Sequence, residues 1–130
     1  MDNAIEALVI DDEPIVCDRL KDFLSAKGVH VEAFTESSKA MARMKEKTFD
    51  VVITDLKMAG PTGMDVLRLI RDTQPSTVGI LITAYGQIES YREAEVLDAF
   101  QVVHKPFQMS EIYTLVRKAA KRARKSSKKP

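Results

Sequence analysis

Apolar and polar positions fall in short alternating blocks along this chain, and the blocks predict nearly every element. Ala7-Leu8-Val9-Ile10 is an uncharged run ended by Asp11-Asp12-Glu13-Pro14, as expected of a strand covered on both faces. Pro14 suits the first turn of a helix, where its missing N–H costs nothing. Val16, Leu20, Phe23 and Leu24 then share one helical face up to about Lys27, and Gly28 stands in the usual C′ position. Val29-His30-Val31-Glu32-Ala33-Phe34 alternates and predicts a half-covered second strand. Ser37 or Ser38 is placed to cap a second helix with Ala40, Met41 and Met44 inward.

A β-branched run, residues 51–54, predicts the third strand, and Asp55 follows it at once. The next stretch, 56–63, is broken by Gly60, Pro61 and Gly63. A third helix carries Met64, Leu67 and Ile70, and residues 78–83 form the most apolar strand of all. Residues 88–97 predict the weakest helix, with a thin stripe of Ile88, Tyr91 and Ala94. A fifth strand over 99–104 leads into Lys105-Pro106-Phe107. The final helix begins near Met109 and packs Ile112, Leu115, Val116 and Ala119. Its basic end past Arg117 complements the macrodipole, and helicity is expected to fray there. Five strands alternating with five helices predict an α/β fold, a parallel sheet wrapped on both faces with right-handed crossovers.

Composition narrows the classes. With 130 residues, 45% hydrophobic and 30% charged, the chain is long enough for one domain with a proper core. Its apolar runs are too short to span a bilayer, and its acidic start is not that of a signal peptide, so the cytoplasm is expected. A single cysteine, Cys17, excludes an intramolecular disulfide. The net charge of +1 hides an asymmetry: residues 117–130 hold eight Lys or Arg and no acid, whereas the first 116 residues hold 12 basic and 19 acidic side chains. The expected organisation is a domain over 1–121 and a basic tail or linker over 122–130.

The chemistry gathers at strand ends. In such a sheet, Asp11 and Asp12, Asp55, Thr83 and Lys105 would meet in the crevice at the carboxyl ends of strands one, three, four and five. Three acids that close would repel one another unless a cation sat among them, and oxygen ligands of this kind suit Mg2+. A site of that composition suits phosphoryl transfer. Other jobs exist for each residue: one of the acids could cap the first helix, Thr83 could simply end a strand, and Lys105 could be a solvated edge lysine. Their convergence favours the common site. Cys17, His30 and His104 form no nucleophile or metal pattern and read as packing or surface residues.

Four motifs stand in order: Val9-Ile10-Asp11-Asp12-Glu13-Pro14, Val52-Ile53-Thr54-Asp55-Leu56-Lys57-Met58, Leu81-Ile82-Thr83-Ala84-Tyr85-Gly86 and Lys105-Pro106-Phe107. Together, over residues 8–119, they resemble the receiver domains of bacterial response regulators, the phosphoacceptor half of two-component signalling. The resemblance implies a flavodoxin-like doubly wound sheet with strand order 2-1-3-4-5. It implies that Asp55 accepts phosphoryl from a histidine kinase or phosphotransfer protein. Asp12 and Asp55, the backbone carbonyl of Lys57 and, mostly through water, Asp11 would hold Mg2+. Thr83 and Lys105 would bond phosphoryl oxygens, and the Lys105-Pro106 bond would be cis. Such a module is no enzyme beyond its own phosphorylation and dephosphorylation. It would act on a downstream protein or an attached output domain, or form a homodimer through the face of the fourth helix, fifth strand and fifth helix. Nucleic acid would be reached only indirectly, and no membrane is involved. The stretch Ala84-Tyr85-Gly86-Gln87-Ile88-Glu89 is most similar to receivers of enhancer-binding transcription activators.

Two positions depart from the family pattern. Ala59 stands where proline is usual, and Val102 stands where a Tyr or Phe ring usually couples phosphorylation to the output face. Output is then expected to rely on the Thr83 hydroxyl and the weak fourth helix, with Tyr85 as a substitute ring; Lys57 and Tyr85 would tune the acyl-phosphate lifetime. Two other functions stay open: an interaction module that has kept the site and lost the switch, and a phosphate-ester hydrolase using Asp55 or Asp11. The hydrolase is disfavoured: related α/β phosphatases usually carry a second acid two residues after the nucleophile of the first strand, and here Asp11 is followed two places later by Glu13 and then Pro14.

Overall fold

The computed structural model describes residues 4–84 and 101–127. Its elements are β1 (Glu6–Ile10), α1 (Pro14–Ala26), β2 (His30–Phe34), α2 (Ser37–Glu46), β3 (Val51–Asp55), α3 (Gly63–Thr73), β4 (Val78–Thr83), β5 (Gln101–His104) and α4 (Met109–Ser127). The five strands are all parallel in the order β2-β1-β3-β4-β5. The helix expected over 88–97, Tyr85 and the first two residues of the expected fifth strand lie outside the described residues.

The period-2 geometry of strands explains the two-sided core. Ala7, Val9, Val51, Ile53, Ile80 and Ile82 point to one face. There they meet Cys17, Leu20 and Leu24 of α1 and Ile112, Val116 and Ala119 of α4. The intervening Leu8, Ile10, Val52 and Leu81 point to the other, against Ala40 and Met44 of α2 and Met64, Leu67 and Ile70 of α3. β3 and β4 are buried along their whole length, which is why they read as continuous apolar runs. β2 lies at an edge and is only partly covered, as its alternation predicts.

Helix ends show what the pattern leaves open. α1 stops as expected: Gly28, at φ 87°, donates to Ser25 O and Val29 donates to Leu24 O, a Schellman closure. α2 corrects the expected cap. Its N-cap is Glu36, with no side-chain hydrogen bond, and Ser37 is the first helical residue with its hydroxyl turned elsewhere. α3 is closed by a capping box, Thr62 Oγ1 accepting from Asp65 N and Asp65 Oδ2 accepting from Thr62 N. The expected fraying past Arg117 is also corrected. α4 continues to Ser127 because Ala119, Ala120 and Ala123 extend its buried stripe, so residue 121 falls within the helix. Arg124 fastens that end, donating to Ala4 O at 3.0 Å and lying 3.6 Å from Asp50 Oδ2. No helix among the described residues is long and apolar enough to cross a membrane.

One close approach fixes the end of β3. Gly63 donates to Leu56 O at 2.9 Å, and a Cβ at this position would collide with Asp55 O and stand 3.0 Å from Leu56 Cα. Those atoms are backbone and cannot swing away. Gly63→Ala is therefore expected to destabilise the fold by about 1–3 kcal/mol, as overpacking does, read as a lower urea midpoint at unchanged m-value.

Candidate functional site

The register brings the sequence-predicted residues to one end of the sheet. Ile10 pairs with Thr54, Asp55 with Ile82 and Thr83 with His104, so Asp11, Asp55, Thr83 and Lys105 leave the sheet side by side. Ligand oxygens of Asp11, Asp12 and Asp55 lie within 4.8 Å of one another. Asp11 is 1% exposed and Asp55 8%, whereas Asp12 faces solvent. Backbone donors orient the two buried acids: Glu13 N–H donates to Asp11 Oδ1 and Leu56 N–H to Asp55 Oδ1, both at 2.9 Å.

Lys105 spans the crevice. Its Nζ lies 3.2 Å from Asp11 Oδ2, 3.4 Å from Asp55 Oδ2 and 3.0 Å from Glu13 Oε1. The Lys105-Pro106 bond is cis, as the resemblance implied. Thr83 is fully buried at the end of β4, with Oγ1 3.4 Å from Ala84 O. Lys57 lies exposed on the loop after β3. Cys17 is a buried packing residue, its Sγ 3.2 Å from Asp11 O.

Charge is unbalanced among the described residues: four carboxylates, counting Glu13, face one ammonium. Burial raises the Asp55 carboxyl from its ordinary value to about 6, the Asp11 carboxylate adds to the rise, and Lys105 opposes it. Burial likewise raises Asp11. Burial alone would lower Lys105, but Glu13, Asp11 and Asp55 outweigh it and hold the ammonium above its ordinary range. Asp11 Oδ2 is buried, and despite its ion-pair distance to Lys105 it has no well-directed hydrogen bond. A hard divalent cation fits this set: it would take oxygen ligands, use that oxygen and offset the excess charge.

A family model described as the response regulator receiver domain matches residues 7–117. The chain belongs to this family. A receiver of this kind is a module of two-component signalling rather than an enzyme in its own right. The transcriptional regulatory protein ZraR of Klebsiella oxytoca is 28% identical over 122 residues, which cover 94% of this receiver and 28% of that protein. The DNA-binding transcriptional regulator NtrC of Salmonella typhimurium is 29% identical over 85% of this receiver and 24% of its own length. The chain thus spans about a quarter of these curated relatives. Among solved structures, a receiver domain protein from Clostridium thermocellum is 30% identical with a TM-score of 0.87, covering 92% of this chain and 97% of that one. A CheY-like receiver from Methanospirillum hungatei shares the fold at a TM-score of 0.90 and 19% identity, over 95% and 99% of the two chains.

The structure adds residues to this receiver's site that the sequence reading missed. Glu13 competes for Lys105 across 92 positions of sequence, and only the folded crevice shows it. Ser37, 1% exposed, donates from Oγ to Pro61 O at 2.6 Å and approaches Ala59 O at 3.4 Å. It pins the loop after Asp55 on either side of Gly60, whose φ is 79°. Ala59 thus sits in a loop held from the neighbouring helix rather than by a proline at that position.

Two outcomes follow for this site. Ser37→Ala removes the donor shared by two loop carbonyls and is expected to cost about 1–2 kcal/mol in chemical denaturation. For pH, the folded value of Asp55 lies above the unfolded one. Its contribution to stability is therefore fully present below about 4 and lost as pH rises through about 6. In EDTA, Asp55→Asn is expected to unfold at higher denaturant than wild type at pH 7.5, by on the order of 2 kcal/mol, with the gap closing towards pH 4. Millimolar Mg2+ should raise the wild-type midpoint more than that of the variant.

Proposed function

We propose that this chain is a cytoplasmic phosphoacceptor receiver, which takes a phosphoryl group onto Asp55 from a histidine kinase or phosphotransfer protein. The observation that carries this reading is the convergence of Asp11, Asp12 and Asp55 within 4.8 Å, with Lys105 Nζ 3.4 Å from the Asp55 carboxylate. Asp11, Asp12, Asp55 and the backbone carbonyl of Lys57 are the groups that would hold Mg2+. Bound there, the ion would neutralise charge on the transferring phosphoryl oxygens.

The residues do the rest. The Leu56 N–H holds one Asp55 oxygen, leaving the carboxylate oriented for attack. An oxygen lone pair of Asp55 forms the new P–O bond as the P–N bond of the donor phosphohistidine breaks, and the departing imidazole nitrogen keeps that electron pair. Lys105 leaves Glu13 to pair with a phosphoryl oxygen. Thr83, one residue beyond the Asp55–Ile82 pair, bonds another and passes the change to the segment after Ala84. The altered surface then acts on a downstream protein, an attached output domain or a second copy.

A second reading, a module whose contacts ignore phosphorylation, draws on Val102. Its side chain is partly buried against the cluster of Leu8 and Leu81, where an isopropyl group has no ring to turn in or out.

One measurement tests whether Asp55 takes the phosphoryl group at all. Incubation with Mg2+ and a small acyl-phosphate donor, followed by intact-protein mass spectrometry, is expected to show one phosphoryl group. The adduct should be absent in Asp55→Ala and in EDTA. Lys105→Ala is expected to slow its formation by roughly 10²-fold, the usual loss for one charge-stabilising group. An unmodified wild type would leave the second reading.

A further inference from the structure

α4 carries a line of cations that its own fold does not use. Arg117, Lys118, Lys121 and Lys125 are all exposed, and they recur at the three- and four-residue spacing that places side chains along one helical face. Among the described residues no carboxylate lies within ion-pair distance of Lys118, Lys121 or Lys125, and Arg117 meets only the Tyr113 ring, 5.8 Å away. The rest of the surface is built differently. Lys39 pairs with Glu36, Arg43 with Glu32, Lys47 with Glu6, Arg68 with Asp65 and Arg71 with Asp72. Other unpaired cations stand singly, as Lys57 does, or have an acid beside them in sequence, as Arg19, Lys21 and Lys45 do.

Helix energetics do not account for the line. Like charges three and four residues apart repel. The macrodipole rewards cations only within the last turn, which covers Arg124 and Lys125 but not Arg117, Lys118 or Lys121. Two surface grooves flank the line and share Arg117 and Lys121. One, of about 490 Å³, runs beside Ile5 and Arg124; the other, of about 290 Å³, beside Thr114 and Lys118.

We propose that this face of α4 binds the phosphate backbone of duplex DNA directly, without reading sequence. The chemistry of the face chooses among anionic partners. Insertion into a lipid surface needs a free apolar face, and that of α4 is spent on the core through Ile112, Val116, Ala119, Ala120 and Ala123. Protein partners dock on apolar or aromatic anchors, and the one large exposed hydrophobic among the described residues, Ile15, lies on α1. What α4 offers is charge alone at regular intervals over about 12 Å of helix, given a rise of ~1.5 Å per residue. Duplex DNA presents a charge every ~1.7 Å of its axis and rewards its neutralisation by counterion release. This contact is direct, whereas the resemblance implied only an indirect one, and it is independent of the chemistry at Asp55.

The test uses the full chain and a fluorescein-labelled 20-base-pair duplex of arbitrary sequence, with binding followed by anisotropy from 30 to 200 mM KCl. Four phosphate contacts predict a slope of log K against log [KCl] of about −3 to −4. Lys118→Gln/Lys121→Gln is expected to make that slope shallower by about 2 and to weaken binding at 50 mM KCl at least tenfold. Lys118→Arg/Lys121→Arg should preserve both, and Lys39→Gln/Arg68→Gln should leave both unchanged. The proposal is overturned by no binding at 30 mM KCl, or by an unaltered slope in the glutamine variant. It also fails if poly-glutamate or phosphatidylserine vesicles compete as well as unlabelled duplex at equal charge.

Discussion

The contact between Lys105 and the carboxylates at the ends of β1 and β3 is the constraint on which the rest of this structure depends. Two of those acids are almost wholly buried, and burying like charges together is unfavourable unless opposite charge is brought to them. The sheet brings it by chain topology: β5 sits two strands from β3, and the residue after its end reaches back across the crevice. Among the described residues the balance stays incomplete, with more carboxylate than ammonium. On the proposed function, a metal ion would meet that deficit of positive charge, which a fully neutralised site would not offer it.

Around this crevice the fold is stiff where the chemistry needs stiffness. Gly63 lets α3 start in contact with the backbone of Asp55, the Thr62–Asp65 capping box closes its first turn, and Ser37 reaches from α2 to the loop carbonyls. These contacts come from two helices, α2 and α3, and act on one loop of seven residues, 56–62. The loop is thereby positioned from its base and from its tip, although Ala59 brings none of the restriction of a proline.

Much of this was legible in the chain because burial on both faces leaves so plain a trace. Residues 7–10, 51–54 and 78–83 are uncharged runs in the sequence and nearly solvent-free in the fold, and the acids that follow the first two mark the crevice. The parts not legible depend on distant partners. Ser37 looks locally like a cap, but its hydroxyl is drawn to carbonyls 22 and 24 residues on. The pairing of Glu13 with Lys105 needs the whole sheet to exist first. α4 is a different case. Its charge density suggested an unravelling end, although Ala119, Ala120 and Ala123 continue the spacing of Ile112 and Val116 and could have been followed. The Thr62-x-x-Asp65 pattern was likewise present, masked by Gly60 and Pro61 before it and Gly63 within it.

The clasp of Arg124 on Ala4 and Asp50 has a consequence for the molecule as a charged body. It ties the basic end of α4 to the chain entering β1 and β3, at the opposite pole of the sheet from the carboxylates that follow those strands. The two poles are separated by a strand of five residues, roughly 16 Å at ~3.3 Å per residue, which exceeds the screening length of about 8 Å in physiological salt. Each pole therefore presents its own sign to its surroundings with little cancellation by the other. A near-neutral protein built this way has a large dipole, and it turns in the field of a charged partner before any side chain makes contact.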